Sequence, residues 1–158
     1  MRLDEINYLL RLSGSKLTLL EVLLESTKEQ SEILNSEQEE KIEASLRKRQ
    51  DIIKKIDILD NEFLIKYTEL KSELGVNSLL DYKEDLGQEL RALQNKIFEI
   101  LKITEKIQEL DNSNREKFEE NMKKVQEGIR TIRNSKKVTA GYKAYQSQAH
   151  SIFLDKKR

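Results

Sequence analysis

The sequence of 158 residues contains no cysteine, no proline and no tryptophan, and aromatic residues make up only 6% of it. Without cysteine there can be no disulfide and no thiolate metal ligand, and the chain fits a reducing compartment. The single histidine, His150, cannot form a zinc or copper site by itself. We therefore expect neither a metal nor a cofactor.

Long apolar runs are also missing. The first residues, MRLDEINYLLRLSG, carry charges among their leucines, unlike a signal peptide, and no stretch approaches the length of a membrane-spanning helix. We expect a soluble, cytoplasmic protein that does not insert into a membrane.

Arrangements typical of catalysis are not found either. The carboxylates alternate with lysines as on a solvated helix face, and the five glycines are scattered singly, unlike a phosphate-binding loop. One histidine near the C-terminus cannot support a nucleophilic triad. We therefore expect no enzyme activity. Nucleic acid is not an expected partner, because the basic residues of the C-terminal segment are few and the remaining chain is acidic.

Charged residues make up 37% of the sequence, and apolar residues, with alanine and the aromatics included, make up another 37%. The net charge is zero. Leu, Ile, Glu, Lys and Gln dominate, which favours long helices. The charge is unevenly spread, because residues 135–158 hold six Lys or Arg against one Asp. A basic end of this kind is typical of a binding arm, and equally of a helix end whose cations complement the helix dipole.

Steps of three and four residues between apolar side chains predict a first helix over about 3–34. Gly14 interrupts this pattern without changing its phase, which indicates a weak point or kink rather than a boundary. The members of the pattern are Leu3, Ile6, Leu10, Leu17, Leu20, Leu24 and Leu34, with Ser13, Thr27 and Ser31 as its polar positions.

The spacing of Ser36 and Glu39 resembles a capping box and predicts a second helix over about 36–74, which Gly75 would end. Arg49 and Asp60 fall on its apolar face. We interpret Arg49 as packing its stem on this face with its head in water, and Leu59 as replacing Asp60 after a small rotation of the helix. The apolar members are Ile42, Leu46, Ile53, Ile56, Phe63, Tyr67, Leu70 and Leu74.

A connection follows, in which Ser78 is placed to begin a turn of helix, and the pattern then predicts a third helix over about 84–135. Its phase slips between Ile107 and Phe118, which are eleven residues apart. Either a stutter straightens the helix there or Ser113 begins a new one, and we favour one continuous helix. The predicted fold is all-α: an elongated antiparallel three-helix bundle or coiled coil over 1–135, with a docking segment over 136–158.

A third helix of this length would extend past its partners. Its apolar stripe at Met122, Val125, Ile129 and Ile132 would then need cover from the C-terminal segment, from a second copy or from another protein. In the C-terminal segment, Tyr142 and Tyr145 would share a helical face with Ile152 and Phe153. That helix would be marginal alone, so the segment is either a structural cap on the third helix or a docking arm for partners.

Three antiparallel helices with a very long third, followed by "GYKAYQ" and "SIFLDKKR", resemble the FlgN family of flagellar export chaperones. The resemblance implies a cytoplasmic, non-enzymatic protein that binds hook-associated filament-junction proteins, masks their helical termini and delivers them to the export gate of the flagellar type III apparatus. An exposed helical stripe would suit that task, because a client's amphipathic helix could pack on it.

Under this hypothesis the chain is a monomer or weak homodimer. Tyr142 and Tyr145 are the candidates for docking to the export gate. The candidate client-binding residues are Met122, Val125, Ile129, Ile132, Ile152 and Phe153. The alternative hypothesis is a self-associating coiled-coil scaffold or adaptor, in which the same stripe packs against a second copy.

Overall fold

The computed structural model describes residues 3–36, 38–82 and 87–127. They form three long helices: α1 (Leu3–Asn35), α2 (Ile42–Leu74) and α3 (Gln88–Glu127). Short 3₁₀ turns lie at Glu39–Lys41 and Leu79–Asp81, and these described ranges contain no strand. The predicted all-α bundle with a long third helix is confirmed.

The helices run up, down and up, with α1 packed against both of the others. Lys16 of α1 bonds to Asp60 of α2, while Thr27 lies beside Arg49, so these two helices are antiparallel. The Asn114 amide of α3 donates to the Thr27 carbonyl oxygen of α1, and further along both helices the Asn121 amide donates to the Leu34 carbonyl oxygen. α1 and α3 are therefore parallel, as the reversal at each of two connections requires.

The buried face of α1 is wider than its sequence pattern predicted. Leu10, Leu17 and Leu24, which the pattern places at the centre of the face, are only half-buried, and Leu3 is exposed. A helix in contact with two neighbours buries a broader band of residues than one that packs on a single partner. The positions next to the predicted ones are buried as well: Leu9, Leu12, Lys16, Leu23 and Gln30.

α3 is one unbroken helix through residues 111–116, as we favoured. The predicted slip of phase is wrong, because Asp111 and Asn114 occupy the core-facing positions between Ile107 and Phe118. The steps are four, three and four residues, so the heptad pattern continues without a stutter. The apolar pattern is interrupted there only because two of its core-facing positions carry polar side chains.

Only the C-terminal end of α2 lies where the sequence pattern predicted it. The capping box predicted at Ser36 does not form: this hydroxyl donates back to the Glu32 carbonyl oxygen at 2.7 Å, and α2 begins at Ile42 after the 3₁₀ turn. Gly75 ends α2 as predicted, with a φ of 68° that favours glycine. Ser78 caps the next 3₁₀ turn by accepting a hydrogen bond from the Leu80 N–H at 3.3 Å.

The apolar core is divided into two clusters. The first core cluster lies where α1 begins and consists of Ile6, Leu9, Leu70, Leu79, Leu90 and Leu93. The second core cluster includes Leu20, Leu34, Ile42, Ile53, Ile107 and Phe118 and reaches the end of α1. A buried ion pair between Lys16 and Asp60 lies on the stretch of the bundle between them.

Candidate functional site

Two of the predicted client-binding residues, Met122 and Val125, lie on α3. The other predicted site residues lie outside the described residues: Ile129, Ile132, Tyr142, Tyr145, Ile152 and Phe153. His150 also lies outside them.

The last turns of α3 lie where α1 stops. The Asn121 amide donates to the Leu34 carbonyl oxygen at 3.0 Å, one residue before α1 ends at Asn35. Phe118 is buried, and Met122 is half-buried against the second core cluster. Val125, one turn further, has no α1 residue at its level and is half-buried. The apolar stripe of α3 therefore begins to leave the bundle at Met122 and Val125.

A buried polar layer joins the three helices just below this end. Arg49 of α2 is fully buried, and its Nη2 lies 3.0 Å from an oxygen of Asp111 on α3. Its Nη1 donates to the hydroxyl of Thr27 on α1. The prediction that the head of Arg49 lies in water is therefore wrong. The whole side chain is enclosed, because α1 and α3 both supply polar partners for it.

Burial raises the pKa of Asp111 from 3.8 to about 6, although the nearby Arg49 and Arg115 lower it in part. The rise in pKa caused by burial is thus larger than the fall caused by the two guanidinium groups. At neutral pH the group is mostly ionised and pairs with Arg49.

The polar layer continues along the contact between α1 and α3. The Asn114 amide donates to the Thr27 carbonyl oxygen at 3.1 Å, and its own oxygen accepts from Ser31 at 2.7 Å. These bonds form only when the two helices are aligned at one register. Thr27 and Ser31 are polar positions of the α1 pattern, and their partner on α3 was not predicted. A step count of four, three and four through Asp111 and Asn114 would have found it.

A second polar contact lies deeper in the bundle. The Lys16 ammonium donates to the Asp60 carboxylate, and the two side chains are only 4% and 10% exposed. The interpretation that Leu59 replaces Asp60 is therefore wrong: Asp60 is buried and Leu59 is half-buried. The Asp60 carboxylate is tolerated there because α1 places an ammonium group at its level.

This ion pair forms part of the wall of a cavity of about 130 Å³ between α2 and α3. The floor comes from α1, with Leu12, Ser13 and Lys16. The apolar part of the wall comes from side chains of α2 and α3, namely Phe63, Leu64, Ile97, Ile100 and Leu101. Leu64 is 48% exposed, and Phe98, one turn from Leu101, is 49% exposed.

Within 3–36, 38–82 and 87–127, no group of three or more His, Asp or Glu side chains could hold a metal ion. None of the three helices described is both long and apolar enough to cross a membrane. The described part of the chain therefore offers helical surface, the cavity beside Lys16 and the apolar stripe of α3 that begins at Met122.

A family model described as FlgN protein matches residues 1–150, nearly the whole chain. No curated protein and no solved structure matches. The match includes all three helices and extends past the two tyrosines singled out in the C-terminal segment.

Proposed function

Because the chain belongs to the FlgN family of flagellar export chaperones, we propose that it binds hook-associated filament-junction proteins in the cytoplasm and delivers them to the flagellar export gate. The family match over residues 1–150 carries this proposal. No chemical step is required, since protection and delivery need only reversible contact between surfaces.

The end of α3 supports the proposal. A client with an unpartnered amphipathic helix needs an apolar stripe on which to pack it, and the stripe beginning at Met122 and Val125 is of that kind. Asn121 fixes α3 to the last turn of α1, so the stripe projects from a rigid base. We propose that Ile129, Ile132, Ile152 and Phe153 extend the client-binding surface.

We propose that Tyr142 and Tyr145 dock the chaperone to the cytoplasmic domain of the export gate. Aromatic side chains supply much of the binding energy of many interfaces, and usually one of them carries more than its neighbour. In this proposal the client is held by apolar residues other than tyrosine, and the gate is held by the two tyrosines. The two partners can therefore be bound by separate residues of one chain.

The test of client binding uses the purified full-length chain and a purified hook-associated protein. Size-exclusion chromatography with light scattering should give a defined complex from a chain that is a monomer or weak dimer by itself. A client that lacks its terminal helices should fail to bind. If the chain is instead a tight oligomer that binds no hook-associated protein, the scaffold alternative holds and the proposal is wrong.

The test of gate docking compares Tyr142→Ala and Tyr145→Ala. Each variant is titrated with the gate domain by calorimetry, with Tyr142→Phe and Tyr145→Phe as matched controls. One alanine variant should lose at least about tenfold in affinity, as expected for an aromatic anchor worth about 1.4 kcal/mol or more. Client affinity should change little. Unchanged gate affinity in both alanine variants would remove the tyrosines from this role.

A further inference from the structure

The cavity between α2 and α3 has the size of one aromatic ring. Its volume is about 130 Å³, and an apolar protein cavity of about 150 Å³ is known to hold benzene. The walls suit a ring because Phe63, Leu64, Ile97 and Leu101 face the space from both helices. Leu64, one of the lining residues, is 48% exposed, so the cavity reaches the surface of the bundle at this side chain.

The polar side chains of the cavity wall determine which kind of aromatic ligand fits. Lys16 carries three N–H donors, and the hydrogen bond found for its ammonium group in the described residues goes to Asp60. A ligand with a hydroxyl group could accept from Lys16 while donating to the carboxylate. The charges of Lys16 and Asp60 oppose each other and Lys71 also lines the cavity, so a neutral ligand fits better than a cation. A phenol, the side chain of tyrosine, combines the ring with the neutral hydroxyl.

We propose that the cavity binds a tyrosine side chain from the 138–154 segment of this chain, either Tyr142 or Tyr145. Between Val138 and Leu154 this segment carries one fixed charge, Lys143, and could therefore cover apolar surface at small cost. Such surface is found at Leu64 in the cavity lining and at Phe98, one helical turn from Leu101, and each is about half exposed. The three tyrosines in the described residues, Tyr8, Tyr67 and Tyr82, belong to the bundle itself and lie on α1, α2 and the following turn.

The length of the chain permits this contact. Ile100, in the cavity wall, lies 27 residues before the end of α3 at Glu127, which is about 40 Å along a helix. Tyr142 follows Glu127 by 15 residues and Tyr145 by 18, which span about 50 and 60 Å when the chain is extended. Either tyrosine can therefore return along the bundle to the cavity when the chain leaves the helical path soon after Glu127, and in that state Ile129 and Ile132 do not continue the α3 stripe used in the proposed client binding.

A tyrosine in the cavity is not available to any other partner at the same time. The segment would thus exchange between a bound state on its own bundle and a free state, and a partner that binds the free state would shift this exchange. The contact is argued from the cavity and not from the proposed chaperone function, but it would compete with the proposed docking of the same tyrosine to the export gate.

The chain has no cysteine, so a pair of engineered cysteines can report the contact without interference. Asn61→Cys places a thiol on an exposed residue of the cavity lining. Ala144→Cys places the second thiol between the two tyrosines and keeps both. The matched control pairs Ala144→Cys with Thr18→Cys, an exposed position on α1 two residues from Lys16. A disulfide requires the two Cα atoms to come within about 7 Å.

Oxidation of the dilute full-length chain is followed on non-reducing gels. The 61/144 pair should form an intramolecular disulfide at least about ten times faster than the 18/144 pair. Adding Tyr142→Ala or Tyr145→Ala should slow the reaction to the control rate for one of the two substitutions, because the cavity holds one ring. Equal rates for the two pairs, or no effect of either alanine, would overturn the proposal. A disulfide that forms only between chains would assign the cavity to a second copy and overturn it as well.

Small molecules test the role of the hydroxyl. p-Cresol, which reproduces the tyrosine side chain, should compete with the segment and slow formation of the 61/144 disulfide. Toluene at the same concentration, identical except for the hydroxyl, should slow it severalfold less. If both compounds slow disulfide formation equally, the proposal that Lys16 and Asp60 bind a phenol hydroxyl is wrong. If neither acts, the ring is not held in the cavity.

Discussion

The Nη2 atom of Arg49, on α2, lies 3.0 Å and 3.3 Å from the two carboxylate oxygens of Asp111, on α3, and the Arg49 side chain is fully buried. In the described residues, α2 and α3 approach each other less closely than either approaches α1. The ion pair therefore joins the two outer helices of the bundle directly, in addition to the contacts that each of them makes with α1. Four predictions follow from this contact, from the end of α3 and from two glycines.

Replacing Arg49 by methionine should lower the free energy of unfolding at pH 7 by about 3 kcal/mol, because Asp111 would stay buried without its cation. Adding Asp111→Leu should restore most of this loss, since the pair is then replaced by apolar side chains of similar size. Urea denaturation of the two single variants and the double variant gives the coupling energy.

The matched control is Arg47→Met, which removes an arginine from an exposed pair with Glu43 on the same helix. Its cost should stay below about 0.5 kcal/mol. If Arg49→Met costs no more than Arg47→Met, the guanidinium of Arg49 does not contribute as a buried partner.

Stability should depend on pH through Asp111. Its pKa is about 6 in the folded protein and 3.8 ordinarily, so the folded state binds a proton more readily than the unfolded state. The contribution of this group to stability therefore rises as the pH falls from about 6 towards 3.8, and is lost as the pH rises through 6. Relative to Asp111→Asn, the unmodified chain should gain about 1 kcal/mol between pH 7 and pH 5.

Urea denaturation at both pH values measures this gain. The asparagine variant serves as the reference, because the other carboxyl groups contribute equally to both proteins and cancel in the difference. An opposite sign, with the unmodified chain losing stability towards pH 5, would mean that Arg49 outweighs burial at this carboxyl group.

Val125→Asp should weaken client binding while the bundle stays folded. Val125 lies beyond the last residue of α1 and is half-buried, so a charged side chain there would contact few core residues. Gln126→Asp introduces the same charge at an exposed neighbour and should leave affinity unchanged. Phe118→Asp, about two turns further inside the bundle, should cost several kcal/mol of stability, because its side chain is buried. Calorimetric titration and thermal denaturation separate the two effects, and a large fall in melting temperature for Val125→Asp would place this residue in the core.

Two glycine substitutions should have opposite signs. Gly75 has a φ of 68°, which an L side chain adopts only with strain, so Gly75→Ala should destabilise the chain by about 1 kcal/mol. Gly14 lies inside α1 with no atom within 4 Å of an added Cβ, so Gly14→Ala should stabilise it by about 0.5–1 kcal/mol. Thermal denaturation of both variants tests the pair, and a destabilising Gly14→Ala would indicate that α1 needs a weak point there.

The sequence by itself determined the helices. A/d spacing without proline predicts long helices, and Gly75 supplies the end of α2 because it tolerates a positive φ. The continuity of α3 and the start of its apolar stripe at Met122 and Val125 could be predicted in the same way. These features depend on neighbours three or four residues away, which a linear pattern records.

Only the tertiary structure decided which polar side chains are buried. Arg49 can be enclosed because Asp111, 62 residues later, lies at its level, and Lys16 is enclosed because Asp60 lies opposite it. The energy of burying a charge depends on the distance to its partner. That distance follows from the register of two helices and not from the spacing within either one. The cavity beside Lys16 has the same origin, since it lies where α2 and α3 separate over α1.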